Sequence, residues 1–228
     1  MVVFPALVGG CAAPRIDGAS QTRVGQAFCM RGLLDVFSLG LNDLAERLRS
    51  EGINATTVSG PSWRKLGYEI FRARSRGDLQ GPLILIGHSY GADNAVRMAR
   101  YLGHQNIEVE LLVLLDTTSP PAVPENVARC LHMYRPTALG NLLPLAFAGN
   151  AVQAEEGNNR TEIVNEIVSP ETFGTAAAHI DHFNIDASAS VHELVVNEVL
   201  RICPTRGDSK GNISESRDDP ASCRSRAE

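Results

Sequence analysis

The stretch "LILIGHSYGADNAVRMAR", residues 83–100, passes from branched apolar residues, through a serine set between two glycines, into a helical pattern. The opening run, residues 83–86, is unbroken by any polar side chain, as in a strand buried on both faces of a parallel sheet. Beyond Gly91, the residues Ala92, Ala95, Val96, Ala99 and Leu102 fall on one side of a helix, and Gly103 is placed to end it. The segment therefore reads as strand, tight turn, helix, with Ser89 at the junction.

Working outward, the same alternation repeats. Upstream, "QAFCMRGLL" (26–34) is a short apolar strand candidate, and "LNDLAERLRSEG" places Leu41, Leu44, Ala45 and Leu48 at helical spacing ahead of Gly52. The β-branched "INATTVSG" (53–60) follows, then a helix over "WRKLGYEIFRARSRG" with Trp63, Leu66, Ile70 and Ala73 as its stripe. Downstream, "VELLVLLDTT" (109–118) is a second fully apolar strand, and "VARCLHMY" (127–134) and "TEIVNEIVS" (161–169) are weaker strand candidates. The last helix, "VHELVVNEVLRI" (191–202), offers Val191, Leu194, Val195 and Ile202 for packing. Strands alternating with helices predict an α/β fold: a mainly parallel sheet of about six strands with helices on both faces.

Composition limits what such a domain does. The 228 residues are 43% hydrophobic and 21% charged, with a net charge of −5. Phosphate neutralisation needs clustered Lys and Arg, so a nucleic-acid partner is not expected. No apolar run approaches the length of a membrane-spanning helix. Residues 1–20 resemble an export signal. Val8-Gly9-Gly10-Cys11 is similar to a bacterial lipobox, with Cys11 as the lipid-anchor position, although no basic residues precede the short apolar stretch. This predicts an exported, periplasmic or membrane-anchored protein; a frayed strand with a buried cysteine, in a cytoplasmic protein, is the alternative. The remaining Cys29, Cys130, Cys203 and Cys223 are even in number, which is compatible with an oxidising compartment but implies no pairing. Residues 21–203 form the expected domain, and 204–228, poor in large apolar residues, the expected disordered tail.

The chemistry centres on Ser89. A sharp strand-to-helix turn lifts its hydroxyl clear of the backbone, and glycines two positions to either side leave room for neighbouring strand and helix. The helix that follows directs N–H groups toward the place where negative charge develops in acyl transfer. A serine nucleophile needs a base, and the base needs an orienting group. Asp116, ending five apolar residues and opening a Pro-rich loop, is the expected acid, with an N-cap or turn role as the alternative. Of the later histidines, His182 is the expected base and His179 the alternative; His192 falls inside the last helix. Asp181 and Asp186 are the alternative acids. A metal site on His179-x-x-His182 with Asp181 lacks a further ligand cluster, so neither metal nor cofactor is expected.

With "GHSYGA" as a nucleophile elbow, residues 26–202 resemble the α/β-hydrolase superfamily. An acid one strand after the nucleophile strand is similar to the arrangement in thioesterase domains. The segment "DHFNIDASASVHELVVNEVL" resembles the histidine loop and last helix of small bacterial lipase- or thioesterase-like hydrolases. The resemblance implies a three-layer fold lacking two leading strands, and a triad of Ser89, Asp116 and His182. It also implies a two-step acyl transfer on a small-molecule ester, or alternatively a thioester. In that family His-Gly often follows the first core strand; here Arg31-Gly32-Leu33 stands instead. The oxyanion donors it implies are main-chain N–H groups, of Leu33 and Tyr90. Leu142, Leu143, Leu145 and Phe147 would suit an acyl chain or, equally, core packing. A lipid-anchored scaffold without catalysis is the reading from another class.

Overall fold

A computed structural model describes residues 21–32, 38–136 and 149–207. The segment 1–20 with Cys11, the span 33–37 with Leu33, the apolar stretch 137–148 and the end from 208 lie outside the described residues. Each predicted element is present: β1 (Gln26–Arg31), α1 (Gly40–Ser50), β2 (Asn54–Ser59), α2 (Trp63–Arg76), β3 (Leu83–His88) and α3 (Tyr90–Gly103). They are followed by β4 (Val109–Leu115), β5 (Val127–Tyr134), β6 (Glu162–Ile167), the single turn α4 (Pro170–Phe173) and α5 (Ala189–Ile202).

All six strands pair in parallel in the order β2-β1-β3-β4-β5-β6. The apolar strands pair along their lengths, with Leu85 beside both Phe28 and Leu112 and Ile86 beside both Cys29 and Val113. Their side chains alternate between two cores. Ile84, Ile86, Leu111, Val113 and Leu115 pack under α1 and α5; Leu83, Leu85, Leu112 and Leu114 pack under α2 and α3. Each such side chain, removed from water, contributes about 1.5–3 kcal/mol. Two helical layers therefore sandwich one sheet, the three-layer α/β architecture expected. The strand order reverses between β1 and β3, which opens a crevice at their carboxyl ends where open α/β sheets bind ligands.

Two helix faces differ in detail from the periodicity. Trp63, the first residue of α2, is only half-buried and carries the Arg64 guanidinium over its ring at 4.5 Å. On α5 the buried side is Val191, Val195, Val196 and Val199, with Leu194 and Ile202 half-buried.

The described chain continues beyond residue 203 to 207. The Val24 N–H donates to the Pro204 carbonyl, the Arg206 N–H to that of Thr22, and Arg23 bridges Thr205. The Arg23 guanidinium adds a bond to the Cys203 carbonyl at 2.8 Å. Both ends of the described chain thus meet at the amino edge of the sheet, beside the start of β1. Cys29, Cys130 and Cys203 are buried free thiols.

Candidate active site

Ser89 follows directly on β3, and its N–H donates to the Leu115 carbonyl at 2.9 Å, continuing the sheet for one residue. Its backbone then turns to φ 57°, ψ −130°, a conformation non-glycine residues rarely take and one that costs on the order of 1–3 kcal/mol. Both flanking glycines are forced by contact. A Cβ at position 87 would lie 2.6 Å from Ala92 Cα, and one at position 91 would strike the carbonyl oxygens of Met30 and Arg31. The turn is this tight because α3 must double back over β1 and β3 at once.

Asp116 takes the equivalent place on β4: its N–H donates to the Met133 carbonyl at 2.8 Å, and its φ is 43°. The carboxylate is buried at the carboxyl edge, one strand over from the serine. His182 arrives from the loop between β6 and α5. Its Nδ1 lies 3.0 Å from Asp116 Oδ2 and its Nε2 lies 2.9 Å from Ser89 Oγ. Residues 66 and 93 positions apart in sequence from His182 are thus brought into one line of hydrogen bonds.

The loop that delivers His182 is braced on both sides. The Asp181 carboxylate accepts from the Phe183 N–H at 2.8 Å, and the Asn184 side chain accepts from the Asp181 N–H at 2.8 Å and donates to the His179 carbonyl at 3.0 Å. Arg135, just past β5, donates to the carbonyls of Ala177 and Ala178 at 3.1 Å and to that of Ile180. Phe183 then meets the imidazole edge-on, with ring centroids 5.4 Å apart.

The alternatives fall elsewhere. His179 is exposed, and Asp181 is spent on its own turn. Asp186 is buried against the first N–H groups of α1, from Gly40 and Leu41, and burial pushes its carboxyl up to about 6. His192 is buried in α5 and faces the Asp186 carbonyl at 2.6 Å. Among the described residues, no group of three or more His, Cys, Asp or Glu is arranged to hold a metal ion.

Hydrogen-bond chemistry fixes the protonation pattern. A carboxylate only accepts, so His182 Nδ1 carries the proton, and its Nε2 offers a lone pair to the Ser89 hydroxyl. His88, inside the glycine-flanked motif, obeys the same logic. Its Nε2 faces the His182 backbone carbonyl at 2.7 Å and must donate, while its Nδ1, 2.8 Å from Ser38 Oγ, accepts. Ser38 Oγ in turn accepts the Gly32 N–H at 3.0 Å. Burial lowers the His88 imidazole to about 4, which keeps the ring neutral and leaves Nδ1 to accept the Ser38 hydroxyl. Asp93, in the first turn of α3, is likewise buried. It accepts from the Thr118 N–H at 3.1 Å, the Ser119 N–H at 2.9 Å and the Thr118 hydroxyl, joining the serine's helix to the loop that follows Asp116.

Sequence reasoning assigns no role to His88, Ser38, Asp93 or Arg135. Only Asp93 had a visible signal, a carboxylate on the apolar side of an otherwise apolar helical turn. Of the expected oxyanion donors, Tyr90 is the first residue of α3, so its N–H has no acceptor within the helix; its partner Leu33 lies outside the described residues, as do Leu142, Leu143, Leu145 and Phe147.

No family model and no curated protein sequence matches this chain. Among solved structures it is similar to the NocB thioesterase domain from the nocardicin cluster. That match is 14% identical, covers 77% of this chain and 93% of the other, and has a TM-score of 0.49. It is also similar to BorB, a type II thioesterase from the borrelidin biosynthetic cluster (11% identity, 77% and 93% covered, TM-score 0.44). A third is a protein of Xanthomonas campestris pv. campestris assigned to the α/β hydrolase superfamily (16% identity, 76% and 99% covered, TM-score 0.36). At these identities the likeness is one of fold.

Proposed function

We propose that the protein is a serine hydrolase that cleaves carboxylic esters through an acyl-enzyme on Ser89, with His182 as base and Asp116 as the orienting acid. The observation that carries this reading is the unbroken line Asp116 Oδ2, His182 Nδ1, His182 Nε2, Ser89 Oγ, with gaps of 3.0 and 2.9 Å. In the first step the Ser89 hydroxyl attacks the ester carbonyl as its proton passes to His182 Nε2. The resulting imidazolium is stabilised by Asp116. The oxyanion lies over the first turn of α3, where the Tyr90 N–H and the helix's positive end face it. His182 then gives the proton to the leaving alcohol. Water, deprotonated by the same nitrogen, attacks the acyl group and frees the acid and Ser89.

A thioester is the second substrate reading. It is favoured by Asp116 directly following β4, the strand beside the nucleophile strand, a placement that resembles thioesterase domains. Both readings use the same three side chains.

A fluorophosphonate probe and a short nitrophenyl ester test the proposal together. Wild-type protein is expected to be labelled at Ser89 and to hydrolyse the ester, and Ser89→Ala to lose both. Protein that is neither labelled nor active on nitrophenyl esters or acyl-CoA overturns it in favour of a non-catalytic scaffold. A rate on acyl-CoA well above that on the ester assigns the thioester.

A further inference from the structure

The hydrogen bonds of His88 do more than fill the turn. One side of its ring holds the main chain of the residue proposed as base; the other holds Ser38, which holds the first N–H past β1. Three separate segments, from residues 32, 38 and 182, are thereby tied to the strand that carries Ser89. The two imidazoles lie 5.3 Å apart, yet their side chains share no hydrogen bond; the link runs through the His182 backbone. The carbonyl only accepts, so Nε2 donates to it, and a neutral ring then accepts the Ser38 hydroxyl at Nδ1.

We propose that His88 is a positioning residue that sets the placement of His182 against Ser89, and couples it through Ser38 to the backbone at Gly32 that leads into the predicted oxyanion loop. The proposal rests on the serine-hydrolase reading but concerns a residue that touches no reacting atom. Its bonding asymmetry distinguishes it from simple packing. Glutamine carries its amide nitrogen where Nε2 lies and retains the bond to the His182 carbonyl. Asparagine reaches only the position of Nδ1 and retains Ser38. Phenylalanine keeps the volume and loses both.

Three variants separate these roles, with kcat and KM measured on a nitrophenyl ester. His88→Phe is expected to lower kcat by about 10²-fold with KM unchanged, the scale of loss caused by misplacing a reacting group by about 1 Å. His88→Gln is expected to recover at least tenfold of that loss, and His88→Asn to remain near the phenylalanine level. Amide hydrogen exchange over residues 179–185 supplies a readout independent of catalysis: faster in the Phe and Asn variants, near wild type in the Gln variant. Equal kcat in the Gln and Asn variants, or a loss confined to KM, overturns the proposal. If His88→Phe does not fold, the Gln–Asn comparison still decides. If the wild type itself proves inactive and unlabelled at Ser89, the hydrolase reading fails, while the exchange experiment still tests the tether.

Discussion

Replacing Asp116 by asparagine tests the line of three side chains at its least exposed point. Asp116 Oδ2 accepts from His182 Nδ1 at 3.0 Å, whereas Oδ1 is buried and has no hydrogen-bond partner among the described residues. That asymmetry matters. Where both oxygens of such an aspartate are held by donors, asparagine must turn its NH2 toward the imidazole, forcing the wrong tautomer and costing about 10⁴ in kcat. Here nothing pins Oδ1, so the asparagine carbonyl is free to face Nδ1–H and the base keeps its lone pair toward Ser89. What is lost is the charge. An imidazolium and a carboxylate 3.0 Å apart at an effective dielectric of 20 attract by about 5 kcal/mol, and a neutral carbonyl dipole retains only part of this. A net loss of about 4 kcal/mol is a factor of about 10³. Asp116→Asn is therefore expected to lower kcat on a nitrophenyl ester about 10³-fold, with KM unchanged. Its amide NH2, buried without an acceptor, should cost about 1–2 kcal/mol of stability, seen as a fall of a few degrees in Tm. Activity within tenfold of wild type would refute the use of the carboxylate's charge. Inactivity as complete as that of Ser89→Ala would refute the tautomer argument.

Two further outcomes follow from the packing and the buried titrating groups. Gly91→Ala is expected to destabilise the domain by about 3 kcal/mol, because the new methyl meets the carbonyls of Met30 and Arg31, neither of which is able to move without distorting β1; urea unfolding measures it, and an unchanged midpoint contradicts the contact. Burial holds His88 and His132 near 4 in the folded state against 6.5 when exposed, so the unfolded chain takes up protons first and stability falls as pH drops from about 6.5 to 4. Asp186, raised to about 6 from 3.8, acts oppositely, adding stability as pH falls, as do the Asp93 and Glu110 carboxyls that burial also raises. The variant His132→Gln isolates one of these groups: from pH 7 to 4 the wild-type Tm should change less favourably than that of His132→Gln, and identical pH dependences in thermal melts contradict it.

The sheet was legible because its evidence is local. Residues 83–86 and 111–115 carry enough adjacent apolar side chains to declare strands buried on both faces, and the glycines around Ser89 mark a turn whose crowding is met within a few residues. Ser89, Asp116 and His182 were picked by residue type and place in the element order, and the structure brings their side chains into contact. The choice between His182 and His179 was much harder, since both lie in one short loop and only the Asp181–Asn184 turn decides which faces inward. The supporting groups left almost no trace. Ser38 and Arg135 act through hydrogen bonds to a ring and to main-chain groups of other segments, and no periodicity encodes such partners. The contacts of Pro204–Arg206 are hidden for a similar reason: the stretch is unpatterned and is held by main-chain bonds to residues 22–24 rather than by burial.

The meeting of residues 21–24 with 203–206 also dictates how the molecule tolerates attachment. The serine opens at one rim of the sheet and both described ends leave from the other, separated by the length of a six-residue strand, about 20 Å. A linkage made at residue 21 or 207 therefore lies on the side of the sheet away from Ser89. Because residues 21 and 207 are already neighbours, a short bridge between them would close the described chain into a ring, to be reopened at the exposed bend around Gly157 with the rim that carries Ser89 undisturbed.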